Sequence, residues 1–196
     1  MAAADDRFAR IEVTSREALA GWLDVNHKQA DSVWLVLHKK GGGRPYVPLA
    51  EIVETLISYG WIDSLPRKLD ENRSMLRASP RKPKSAWSAV NKAVAERLIA
   101  EGRMREPGLA TITLAQKTGT WHALDSVEAL TIPDDLAAAF RTSEPARAHF
   151  EAFPRSVKRG ILEWISTAKK PETRAARIAE TAAKAQQNIR ANQWKK

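Results

Sequence analysis

With 196 residues, 43% of them apolar and 28% charged, the chain can bury one full domain or a domain with a helical appendage, and it is neither disordered nor fibrous in composition. The absence of cysteine excludes disulfides, thiol nucleophiles, iron–sulfur clusters and Cys-based zinc sites. The net charge of +9 is unevenly spread: residues 64–105 carry 11 Lys/Arg against 4 Asp/Glu and residues 155–196 carry 11 against 3, while 1–63 and 106–154 are mildly acidic.

No apolar run approaches the about 18 residues that cross a bilayer. The start, Met1-Ala2-Ala3-Ala4-Asp5-Asp6, lacks the basic opening and apolar centre of a secretory signal, so the expected location is the cytoplasm. In chain order, Thr14-Ser15-Arg16-Glu17 has capping-box spacing and predicts a helix carrying Leu19, Trp22 and Leu23 that frays near Asn26 or His27. Val33-Trp34-Leu35-Val36-Leu37 is a run of β-formers and predicts a strand buried on both faces, ended by Gly41-Gly42-Gly43.

Pro48 suits the first turn of a second helix, with Ile52, Val53, Leu56, Ile57 and Tyr59 inward and Gly60 as its stop. Trp61 to Leu65 and Ser74 to Ala78 read as antiparallel strands around the turn Asp70-Glu71-Asn72-Arg73. A third helix is expected at or near Ser85, with Trp87, Val90, Val94 and Leu98 on one face and Gly102 at its end. Pro107 to Thr118 predicts a fourth, closed by Gly119.

The pattern loosens between Trp121 and Pro133. Beyond it, helices are expected from Asp134, Pro145, Pro154 and Pro171, the last with Ile178, Ala182, Ala185 and Ile189 as a narrow apolar seam. The fold class expected is α+β: a small antiparallel sheet flanked by helices over residues 1–121, a linker at 122–133, and an all-helical unit over 134–196.

The chemistry concentrates in residues 80–88. Arg81, Lys82 and Lys84 precede a helix that Ser85 can cap, and free N–H groups at its start would add to their pull on a phosphate or carboxylate. Pro80 and Pro83 stiffen that loop. The bland alternative is a capped helix with solvated lysines and Trp87 in the core. Asp63, after an apolar strand start, is a possible polar cleft residue or the ion-pair partner of an arginine. Arg174 and Arg177, three apart, can reach one anion together or pair with the acidic segment 106–154.

Other signals are weak. His38-Lys39-Lys40-Gly41-Gly42-Gly43-Arg44 lacks the ending of a phosphate loop, and His27, His38, His122 and His149 have no metal-ligand spacing. No cofactor, metal or catalytic residue is expected. Most tryptophans lie on apolar stripes and read as core; Trp194, beside Lys195 and Lys196, is the exception.

These residues resemble the YdeI/OmpD-associated family, also labelled bacteriocin-protection proteins. The likeness runs through Val33-Trp34-Leu35 with Lys39-Lys40, Tyr59-Gly60-Trp61-Ile62-Asp63, Pro80-Arg81-Lys82 with Ser85-x-Trp87-Ser88-x-x-Asn91, and Gly102-x-Met104 with Gly108. It continues in Gly119-x-Trp121, Trp164-Ile165-x-x-Ala168-Lys169-Lys170, Glu172-Thr173-Arg174 and Arg177-Ile178. The family often has Cys where this chain has Ile57 or Ser58, which argues against a general thiol role. The N-terminal part is similar to YjbR/CyaY-like proteins, which implies a small antiparallel sheet with helices. That likeness implies nucleic-acid binding; iron handling is not carried over, because the chain is basic where it is most distinctive.

Together these readings favour a non-enzymatic binding protein for an anionic partner, nucleic acid or a phosphate-bearing ligand, linked to bacteriocin or envelope-stress protection. Two alternatives stand beside it: a small-molecule site or enzyme in a cleft between sheet and helical tail, and a protein–protein adaptor.

Overall fold

The computed structural model describes residues 7–41 and 44–193. The expectations placed on Met1 to Asp6, on Gly42 and Gly43, and on Trp194, Lys195 and Lys196 lie outside those residues. The chain divides into two compact units, residues 1–122 and 123–196.

The first unit is built on a four-stranded sheet, β1 (Arg10–Val13), β2 (Val33–His38), β3 (Trp61–Lys68) and β4 (Arg73–Pro80), in the order β1-β2-β4-β3. β4 pairs antiparallel with both β2 and β3, whereas β1 pairs parallel with β2. The sheet is therefore mixed where an antiparallel one was expected. β1 escaped the sequence reading because its four residues offer only Ile11 and Val13 as apolar positions, too short a run to show a period. β3 is an edge strand, broken by a bulge between Asp63 and Pro66 and ending in Arg67 and Lys68, features that discourage further pairing.

α1 (Arg16–Asn26) starts where Ser15 accepts a hydrogen bond from the Ala18 amide at 3.0 Å. α2 (Leu49–Ser58) follows Pro48. Leu19, Leu23, Ile52 and Leu56 from these helices join Val33, Leu35, Trp61, Leu76 and Ala78 of the sheet in the main core. Gly60 stops α2 with φ +74°, a backbone state that glycine adopts without strain, and its carbonyl accepts from the Arg81 amide at 2.9 Å.

α3 (Ala89–Ala100) and α4 (Glu106–Thr118) form a second cluster with Ile57, Trp87, Ala95, Leu98, Ile112, Ala115 and Trp121. α3 begins four residues beyond the expected Ser85, because Ser88 is the residue whose hydroxyl accepts from the Asn91 amide. Trp87 is held ahead of the helix by its own amide, which donates to Thr120 O, and by its ring, 4.9 Å from that of Trp121. Val90, expected on the buried face, is 72% exposed as a result. Gly108 allows α4 to press on the end of α2: a Cβ there would lie 2.3 Å from Ser58 O.

The second unit is all helix: α5 (Asp125–Glu128), α6 (Asp134–Arg141), α7 (Ala146–Ala152), α8 (Arg155–Ser166) and α9 (Pro171–Gln186). Of the stretch 122–133 expected as a linker, residues 123–133 fall in this unit and carry α5, which packs on α8. α9 lies against α6, α7 and α8, burying Ile178, Ala182 and Ala185. Ile189, counted with that seam, falls after the helix end and is 49% exposed. Among the described residues no helix is long and apolar enough to cross a membrane.

Candidate anion site

β4 reads Arg77-Ala78-Ser79-Pro80 and runs straight into Arg81. Alternation along a strand puts Arg77, Ser79 and Arg81 on one side, and Ile62 and Ser64 of β3 lie beside them, Ile62 paired with Ser79. These residues line a cavity of about 660 Å³ together with Arg7, Asp31, Ser32, Lys82 and Ser85. Four cationic side chains and four serines thus surround it, with Asp31 as the one carboxylate among its lining residues.

Arg81 is the unusual member. It is only 8% exposed, yet among the described residues its guanidinium makes no ion pair with a carboxylate. Nη1 donates to Ala86 O at 3.1 Å, and the guanidinium carbon lies 3.8 Å from the centre of the Trp87 ring. Nε and Nη2 are buried with no acceptor among the described residues, as is Nε1 of Trp87. Burial pushes the Arg81 pKa down to about 10, and the charge of Asp63 offsets part of that fall. Arg81 therefore stays a cation at neutral pH.

A buried donor without an acceptor costs about 1–3 kcal/mol, more when charged. The two unsatisfied groups of Arg81 are also adjacent: Nε–H and Nη2–H form the parallel edge of the guanidinium that grips two oxygens of a carboxylate or phosphate. Lys82 is exposed, and its ammonium, like the hydroxyls of Ser32, Ser79 and Ser85, makes no hydrogen bond or ion pair among the described residues.

The expected residues are thus only partly brought together. Arg81, Lys82 and Ser85 share the cavity, while Lys84 is exposed and outside its lining. Ser85 caps no helix; its amide closes a turn onto Lys82 O at 2.9 Å, and the amide of Trp87 is already used by Thr120. Among the described residues no helix terminus lies in the lining of this site. Asp63 is half-buried on β3 and does not line the cavity; it reaches Arg81 through its field and not through contact.

Arg174 and Arg177 are engaged within the second unit. Arg174 clasps Asp135 of α6 with Nε at 2.6 Å and Nη2 at 3.0 Å, a pair that holds the Asp135 carboxyl below the usual aspartate range. Arg177 donates to Trp164 O and, at 3.3 Å, to Thr167 Oγ1, and lies over the Trp164 ring. The pairing with segment 106–154 is realised through Asp135. Arg7, Asp31, Ser32, Arg77 and Ser79 were not singled out in the sequence; the Arg-x-Ser-x-Arg alternation at 77–81 was the signal available for two of them.

A second opening has Glu12, His38, Asp70 and Arg73 in its lining, and these four pair with one another: His38 to Glu12 at 2.6 Å and Arg73 to Asp70 at 2.7 Å. Among the described residues no group of three or more His, Asp or Glu is placed to hold a metal ion.

Comparison with known families divides the chain much as its contacts do. Residues 11–111 match the model of the family described as "Domain of unknown function (DUF8412)". The chain belongs to that family. The matched stretch runs from β1 into α4, so the β3–β4 hairpin and the Arg81 loop are part of the DUF8412 domain. A YjbR/CyaY-like N-terminal part, expected from the sequence, is not supported: DUF8412 is what matches there. Residues 129–188 match a second model, "Bacteriocin-protection, YdeI or OmpD-Associated", as the sequence resemblance implied for this part of the chain. No curated protein and no solved structure matches the chain.

Proposed function

We propose that this DUF8412 chain is a binding protein whose ligand presents an oxyanion, phosphate or carboxylate, to the Arg81 edge with help from Lys82 and Ser85. One observation carries the reading: Arg81, a residue lining a cavity rich in cations, is a buried, charged guanidinium whose Nε and Nη2 have no acceptor among the described residues. An isolated buried charge is unfavourable, and an incoming anion would turn that penalty into affinity. The match of residues 129–188 to the bacteriocin-protection family supports setting this binding in a protective or stress-related role.

Calorimetric titration of the full chain with inorganic phosphate and with acetate tests the proposal. Saturable binding of at least one anion, weakened at least about tenfold by Arg81→Met, is the expected result. No binding, or equal binding by both proteins, would overturn it.

A further inference from the structure

The cavity is far larger than a single oxyanion needs; at about 660 Å³ it falls in the range of sites for small organic ligands, roughly 300–1,000 Å³. Its chemistry is also two-sided. Arg81, Lys82 and Ser85 supply cation and donor groups, whereas Asp31 and Ser32, consecutive in the turn before β2, supply a carboxylate and a hydroxyl. The Asp31 carboxylate has no hydrogen bond or ion pair among the described residues, and it would repel a second anion. What it can accept are hydroxyl protons, and a serine hydroxyl both donates and accepts.

Resting on the anion reading above, we infer that the ligand is a small, hydroxyl-bearing phosphate ester, with its phosphate at Arg81–Lys82–Ser85 and its hydroxyls at Asp31–Ser32. A nucleic-acid strand fits less well. Single-stranded binders stack bases on exposed aromatic rings, whereas Trp34, Trp61, Trp87 and Trp121 are all buried and Phe8 is the cavity's one aromatic lining residue.

The test compares inorganic phosphate, ribose 5-phosphate and free ribose by calorimetry, using the full chain and its Asp31→Asn and Arg81→Met variants. Ribose 5-phosphate should bind at least about tenfold more tightly than inorganic phosphate, and free ribose should not bind measurably. Asp31→Asn should erase most of that advantage while leaving inorganic phosphate bound as well as before or better, since a negative charge is gone. Arg81→Met should weaken both phosphates.

If both phosphates bind equally and depend on Arg81, the sugar-phosphate inference fails and the anion reading stands. If neither shows Arg81-dependent binding, both fail. A single-stranded oligonucleotide that binds through Arg81 more tightly than ribose 5-phosphate would also overturn the inference.

Discussion

The guanidinium carbon of Arg81 rests 3.8 Å from the centre of the Trp87 ring, and this contact, with one hydrogen bond to Ala86 O, holds a buried cation in place. The fall of its pKa to about 10 corresponds to roughly 3 kcal/mol of unfavourable charge burial. The ring contact and the hydrogen bond each return about 1–2 kcal/mol. Arg81→Met should therefore leave stability within about 1 kcal/mol of the parent, or raise it, by urea unfolding. A structural buried arginine would lose about 3–5 kcal/mol on the same change. The pH dependence has a definite sign: Arg81 is charged in both folded and unfolded chains below about pH 10, so its penalty is constant there and is relieved only at higher pH.

Glu54 of α2 is the hub of a separate network. It meets Arg97 at 2.5 Å, Arg103 at 2.6 Å and Arg16 at 3.7 Å, with its own side chain 15% exposed. Burial pushes its carboxyl up, but the hydrogen bonds from Arg97 and Arg103 outweigh this and hold it below the ordinary value of 4.5. Its contribution should be complete above that value and lost as the pH falls through the lower folded one. Because the arginines are partly exposed, Glu54→Gln should cost about 1–2 kcal/mol at pH 7 and progressively less below pH 4.5, read from unfolding at several pH values.

Gly108 and Gly60 are needed for close packing. A Cβ on Gly108 would meet Ser58 O at 2.3 Å, and one on Gly60 would meet Thr111 Oγ1 at 2.3 Å in a φ +74° backbone. Gly108→Ala should destabilise by about 1–3 kcal/mol because its neighbour is main chain. Gly60→Ala should do the same and also shift Arg81, whose amide donates to Gly60 O, so anion affinity should fall along with stability. Unfolding and titration of the two variants separate these effects.

The Arg174–Asp135 pair ties α9 to α6 and is partly exposed, at 33% and 45%. A double-mutant cycle with Arg174→Ala and Asp135→Ala should give a coupling of about 0.5 kcal/mol, and neither change should alter binding of anions at the Arg81 cavity.

Features set by local physics were legible in the sequence. Ser15 caps α1, Gly60 and Gly119 end α2 and α4, and the apolar run at 33–37 became a buried strand. Features set by distant partners were not. In a Pro-Arg-Lys-Pro-Lys-Ser run Arg81 reads as one more solvated cation; only the ring of Trp87 and the hairpin that feeds it bring it inside. Asp31 and Ser32 gave no signal at all, because their meeting with Arg81 depends on the order of strands in the sheet.

On this reading the Nε–H and Nη2–H edge of Arg81 is what an anion binds. The most direct measurement is the side-chain Nε–H resonance of Arg81 by ¹H–¹⁵N correlation, assigned with Arg81→Met and followed during a phosphate titration. A saturable downfield shift of that resonance, with the other arginine Nε–H signals of the first unit moving little, is the result expected of a new hydrogen bond. An Arg81 signal that stays fixed while phosphate binds elsewhere, or a titration that moves no arginine signal, would contradict it.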